Sequence, residues 1–86
     1  MGRLKAKFFA PTSVQEIPSG LVDGSNVTFT LANSPASPNS VYLTLNGLSL
    51  VQGLDYTVGG VGNQTITMTT APTLGQKLYT DYLKAN

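Results

Sequence analysis

Strict alternation of apolar residues with threonine, broken every few positions by glycine, proline or asparagine, limits this chain's folds more than any other feature. Val27-Thr28-Phe29-Thr30-Leu31 and Thr65-Ile66-Thr67-Met68-Thr69 alternate without a fault. Val41-Tyr42-Leu43-Thr44-Leu45 keeps Val41, Leu43 and Leu45 on one face, and Leu48-Ser49-Leu50-Val51 alternates again. A period of two is that of a strand with one face buried and the other in water. Asp55-Tyr56-Thr57-Val58 and the run from Lys77 to Leu83 read as two more strands. No ten-residue stretch carries a helical period free of glycine, proline and β-branched residues.

The punctuation agrees. Asn46-Gly47 separates two alternating runs, the strongest short-range sign of a hairpin, because both central positions of its turn need positive φ. Pro18-Ser19-Gly20, Asp23-Gly24, Ser37-Pro38-Asn39, Gly59-Gly60 and Gly62-Asn63 mark further turns. Short strands at close, regular spacing predict an all-β sandwich or barrel, and one-faced alternation predicts antiparallel pairing. The fold expected is a small antiparallel β-sandwich of about six or seven short strands with an extended N-terminal arm. Its predicted core is Val27, Phe29, Leu31, Val41, Leu43, Leu45, Tyr56, Val58, Ile66, Met68 and Leu78.

With 86 residues, the chain has room for one hydrophobic core, and a domain of this size buries only roughly 60–65% of its unfolded surface. Small domains compensate with disulfides, metals or partner chains. Cysteine and histidine are both absent, so association is the remedy left. Charged residues make up 10% of the chain, against about 25% in an ordinary globular domain. A surface so poor in charge favours association. At 41% hydrophobic, the chain is too apolar for a disordered one. No apolar run nears the roughly 20 residues of a membrane-spanning helix. The opening MGRLKAKFFAPTS has too short an apolar stretch for a secretory signal, and MGRLKA lacks the hydroxyl residue of a myristoylation site. The expectation is a soluble product made in the cytoplasm.

Charge is unevenly placed. Residues 1–10 hold Arg3, Lys5 and Lys7 and no acid, whereas the rest of the chain has two bases and four acids. The bases alternate with Leu4 and Ala6, an extended two-faced pattern, until Pro11 interrupts it. Residues 1–12 are read as an arm and 13–86 as the sandwich domain; fully extended, the arm reaches on the order of 40 Å, at about 3.3 Å per residue. Three readings of the arm compete. It is a docking strand whose bases meet acids and whose Leu4, Phe8 and Phe9 fill an apolar slot; a phosphate contact; or a frayed end. Docking is preferred. A permanently solvated tail gains nothing from Phe8-Phe9, and three bases without a basic body are too few for firm nucleic-acid binding.

Chemistry is scarce. Without His or Cys, a Ser–Lys pair is the common nucleophilic design left, and no Ser-x-x-Lys occurs. Glu16, Asp23, Asp55 and Asp81 are scattered over the sequence, and a carboxylate pair needs a cleft to act across. Gly59-Gly60-Val61-Gly62 precedes a strand with no lysine nearby, so a hairpin connection is favoured over a phosphate loop. Asp23-Gly24-Ser25-Asn26 lacks the spaced carboxylates of a calcium loop and reads as a turn. Asn26-Val27-Thr28 and Asn63-Gln64-Thr65 match the glycosylation sequon, a frequent coincidence in so Thr- and Asn-rich a chain. No catalytic, cofactor or metal-binding residue is expected. Tyr42, Tyr79 and Tyr82 stand at outward or sheet-end positions and suit a subunit interface, where aromatics are enriched, better than a sugar platform.

These segments resemble a known group. Ile17-Pro18-Ser19-Gly20-Leu21-Val22-Asp23-Gly24-Ser25-Asn26 through Pro35, Val41 to Gly47, Gly53-Leu54-Asp55-Tyr56-Thr57-Val58, Ile66 to Pro72 and Asp81-Tyr82 are similar to a small β-sandwich repeat of tailed-bacteriophage virion proteins. The likeness spans about residues 17–83 and departs at Gln76-Lys77, where the repeat more often has Asp. Its motifs are turn and strand residues, and they specify a fold and a setting, not a ligand. The resemblance implies a non-enzymatic structural protein of the virion. Capsid decoration (a cement protein) is expected first, acting as a homotrimer whose arm anchors to the major capsid protein or another virion protein. A tail or fibre-attachment component and a carbohydrate-binding adsorption module are the alternatives.

Overall fold

The computed structural model describes residues 12–85; Arg3, Leu4, Lys5, Lys7, Phe8 and Phe9 of the arm lie outside the described residues. Seven strands form: β1 (Thr12–Glu16), β2 (Thr28–Thr30), β3 (Tyr42–Leu45), β4 (Leu48–Ser49), β5 (Tyr56–Gly59), β6 (Thr65–Met68) and β7 (Leu78–Lys84). Six of them grow from the alternating runs. β1 does not, since Thr-Ser-Val-Gln-Glu has one apolar side chain; it is a strand because it pairs along β7, from Thr12 opposite Lys84 to Glu16 opposite Thr80. Thr12, assigned to the arm from the sequence, therefore opens the first strand.

The strands make two antiparallel sheets, β1-β7-β3-β4 and β2-β6-β5. Their inward faces share one core. Phe29, Tyr56, Ile66 and Met68 come from the three-stranded sheet, Leu43, Leu78 and Tyr82 from the four-stranded one, and Leu31 and Val41 from the adjoining loops. Each such apolar side chain, fully buried, contributes about 1.5–3 kcal/mol. Eight of the predicted core residues are buried, and Val27, Leu45 and Val58 pack half-buried against them. Tyr56 is fully enclosed, and its hydroxyl donates to the Val41 carbonyl at 2.7 Å, tying one sheet to the other.

Between β1 and β2 the chain passes from one sheet to the other. Ser19 exchanges two backbone hydrogen bonds with Thr30, of 2.8 and 2.9 Å. Gly20 follows with φ of 148°, and a Cβ there would lie 2.6 Å from the Phe29 ring; only glycine lets the backbone approach the core so closely. The Asn46-Gly47 turn has the two positive φ values expected, 52° and 84°. Asn46 does more than turn. Its side-chain oxygen accepts from the Lys77 N–H and its own N–H donates to the Lys77 carbonyl, both at 2.8 Å, which fastens the turn to the entry of β7.

Candidate interaction surface

Three of the four carboxylates are occupied by the fold. Asp23 Oδ1 accepts from the N–H groups of Ser25 and Asn26, closing the turn read at Asp23-Gly24; these bonds, the Asn26 one first, hold its carboxyl below the ordinary range. Asp55 Oδ2 accepts from the Val51 N–H at 2.7 Å and caps the turn before β5. Glu16 Oε2 accepts from the Ala32 N–H at 3.1 Å and from the Tyr82 hydroxyl at 2.6 Å. Among the described residues no three His, Cys, Asp or Glu side chains gather as a metal site. The acids here build turns and corners.

Tyr82 corrects the sequence reading. The sequence places it with Tyr42 and Tyr79 at an outward or sheet-end position suited to an interface, yet it is only 2% exposed. On β7, Leu78, Thr80 and Tyr82 point into the core, and Tyr79, Asp81 and Leu83 point out. The Tyr82 hydroxyl donates to Glu16 and accepts from the backbone and side-chain N–H groups of Asn33 at 3.2 and 3.3 Å. Burial, followed by the bond to Glu16, raises its pKa. Tyr82 is a structural strut and offers nothing to a partner.

Tyr42 and Tyr79 do share the outward face. Tyr42 stands opposite Asp81, which stands opposite Gln15, and Tyr79 stands opposite Thr44. The two rings are thus diagonal neighbours on adjacent strands, within reach of each other's large side chains. Tyr42 is 64% exposed, and Leu83 and Ile17 are exposed beside this pair. A shallow groove of about 430 Å³ runs along the edge, lined by Gln15, Glu16, Ile17 and Tyr79.

A second surface was missed from the sequence. Leu21, Leu48, Val51, Leu54 and Leu74 are all exposed, and they lie in segments joined at one end of the sandwich. Gly24 donates to the Pro72 carbonyl, Asn46 pairs with Lys77, Thr69 Oγ1 donates to the Leu54 carbonyl, and Asn26 Nδ2 donates to the Leu21 carbonyl. A signal was present, for Leu21, Leu48, Leu54 and Leu74 each adjoin a glycine in a turn. Turns ordinarily carry polar residues, so large apolar side chains set there are displayed and not buried.

No protein-family model, curated protein or solved structure matches this chain.

Proposed function

We propose that this chain is a non-enzymatic structural protein of a bacteriophage virion, a capsid decoration protein that stabilises the shell through self-association and docking of its basic arm. One observation carries the reading: four leucines and Val51 are exposed at one end of a charge-poor domain. Single exposed apolar residues are ordinary, but a group of them marks a surface that another protein covers. The Tyr42–Tyr79 face supports it, since aromatics are enriched at the centre of an interface. So does the employment of three carboxylates in the fold, which leaves little for acid–base work. The virion setting rests on the resemblance of residues 17–83.

The test is the copy number of this chain in purified particles, with the strength of particles lacking it. Decoration requires hundreds of copies and shells that open more readily without the protein. A few to a few dozen copies would instead make it a tail component. Glycan binding by the isolated protein, with no place in a particle, would make it an adsorption module.

A further inference from the structure

Sheet edges attract strands, because their unpaired N–H and C=O groups can template another chain, and proteins blunt them with short strands, lysine, proline or a covering segment. Three edges of this sandwich are blunted. β4 is two residues long. β2 is flanked by Ser19, which pairs with Thr30. β5 is met at Tyr56 by the Gly53 N–H at 2.7 Å and ends in glycine. β1 is the exception. It is five residues long, Thr-Ser-Val-Gln-Glu, without lysine or proline, and among the described residues its ladder partner is β7 alone.

The chain also contains a segment suited to this edge. Residues 3–9 alternate Arg3, Lys5 and Lys7 with Leu4, Ala6 and Phe8. Their charge complements the body, where residues 12–85 hold four acids and two bases. Asp81 lies on the outward face of β7 opposite Gln15 of β1, and the base on those strands, Lys84, sits at the far end of the ladder. We propose that residues 3–9 of one copy add as a strand to the β1 edge of a second copy. Leu4, Ala6 and Phe8 continue the inward face beside Val14, and the bases continue the outward face beside Gln15 and the groove at Ile17 and Tyr79.

The occupant comes from another copy for a steric reason. To lie on its own β1, the segment must reverse within Ala10-Pro11. A two-residue hairpin needs positive φ at its first or at both central positions, which alanine resists and the proline ring forbids. Each copy then gives one strand and receives one, an exchange that closes as a pair or a ring, three included. This inference rests on the self-associating part of the proposed function and is independent of the virion setting.

The chain has no cysteine, so single cysteines report contacts directly. Full-length Lys5→Cys is mixed with full-length Ser13→Cys, Gln15→Cys or, as the remote control, Leu74→Cys, under mild oxidation. Disulfide-linked heterodimers are expected with Ser13→Cys or Gln15→Cys and not with Leu74→Cys. In parallel, sedimentation of the full chain and of Lys5→Glu/Lys7→Glu should show association weakened about tenfold or more by reversing the charges. If the chain associates but links to neither β1 position, the strand exchange is wrong and self-association stands. Crosslinking of a Lys5→Cys/Gln15→Cys double variant only within one chain would also overturn the exchange. A monomer at every concentration would overturn both.

Discussion

Both sheets of this sandwich contribute to its core, four buried apolar residues from the three-stranded sheet and three from the four-stranded one, and they differ in what they show to the outside. The three-stranded sheet presents threonine: Thr28, Thr67 and Thr57 form one row across its strands, and Thr30 and Thr65 form the next. The four-stranded sheet presents Tyr42, Tyr79 and Leu83 among Gln15, Asp81 and Thr44, and ends in β1, whose ladder partner among the described residues is β7 alone. Threonine's branched Cβ suits a pleated, half-wet surface without offering an anchor. Aromatic rings offer large contact area. Burial therefore explains one face, whereas the other holds more apolar surface than stability needs.

Mutations can break this contrast at several strengths. The largest effect belongs to the inward side of the threonine sheet: Phe29→Ala should cost about 3–5 kcal/mol in denaturant unfolding. A cost below 1 kcal/mol would mean that this sheet is not half of the core. Replacing Asn46-Gly47 by Ala-Ala should cost about 2 kcal/mol, because two residues are forced to positive φ and the hydrogen bond to the Lys77 N–H is lost. Tyr82→Phe should cost about 1–3 kcal/mol by leaving Glu16 and Asn33 without their shared partner. A neutral result there would return Tyr82 to the surface. Tyr42→Ser and Tyr79→Ser should each shift stability by no more than about 0.5 kcal/mol while weakening self-association measured by sedimentation. If they destabilise the fold as Tyr82→Phe does, the outward face is structural and the contrast between the sheets is gone.

Titration sharpens the same comparison at the loop leading into β2. Asp23 has its carboxyl lowered from 3.8 by backbone N–H donors. A lowered folded-state pKa contributes stability that is complete above the unfolded value and fades as pH falls through the folded one. The stability gap between the chain and Asp23→Ala should therefore be largest above about pH 4 and close below it. Tyr56 and Tyr82 run the opposite way. Burial raises both, so their contribution is whole below about pH 10 and is lost as pH rises further.

Most of the strand plan was legible. Val41-Tyr42-Leu43-Thr44-Leu45 could only be a one-faced strand, and the signs of φ at Asn46-Gly47 followed from residue type. Three things were not legible, each for the same reason. β1 has one apolar residue and takes its strand form from β7. Tyr82 alternates in phase with Leu78 and Thr80, but near the end of its strand nothing local shows that Glu16 and Asn33 are brought to its hydroxyl from distant parts of the chain. The exposed leucines sit singly, each beside a glycine in a different segment, and only the fold gathers them.

Periodicity and turn chemistry are local, set by neighbouring side chains and backbone sterics within a few residues, and so the amino-acid order alone determined an all-β chain, its hairpin and most of its core. Which strand lies at an edge, which tyrosine is sealed in and which apolar residues meet at one end depend on pairings between residues up to 72 positions apart. Tertiary structure decided those, because a contact between distant segments exists only once the core has brought them together.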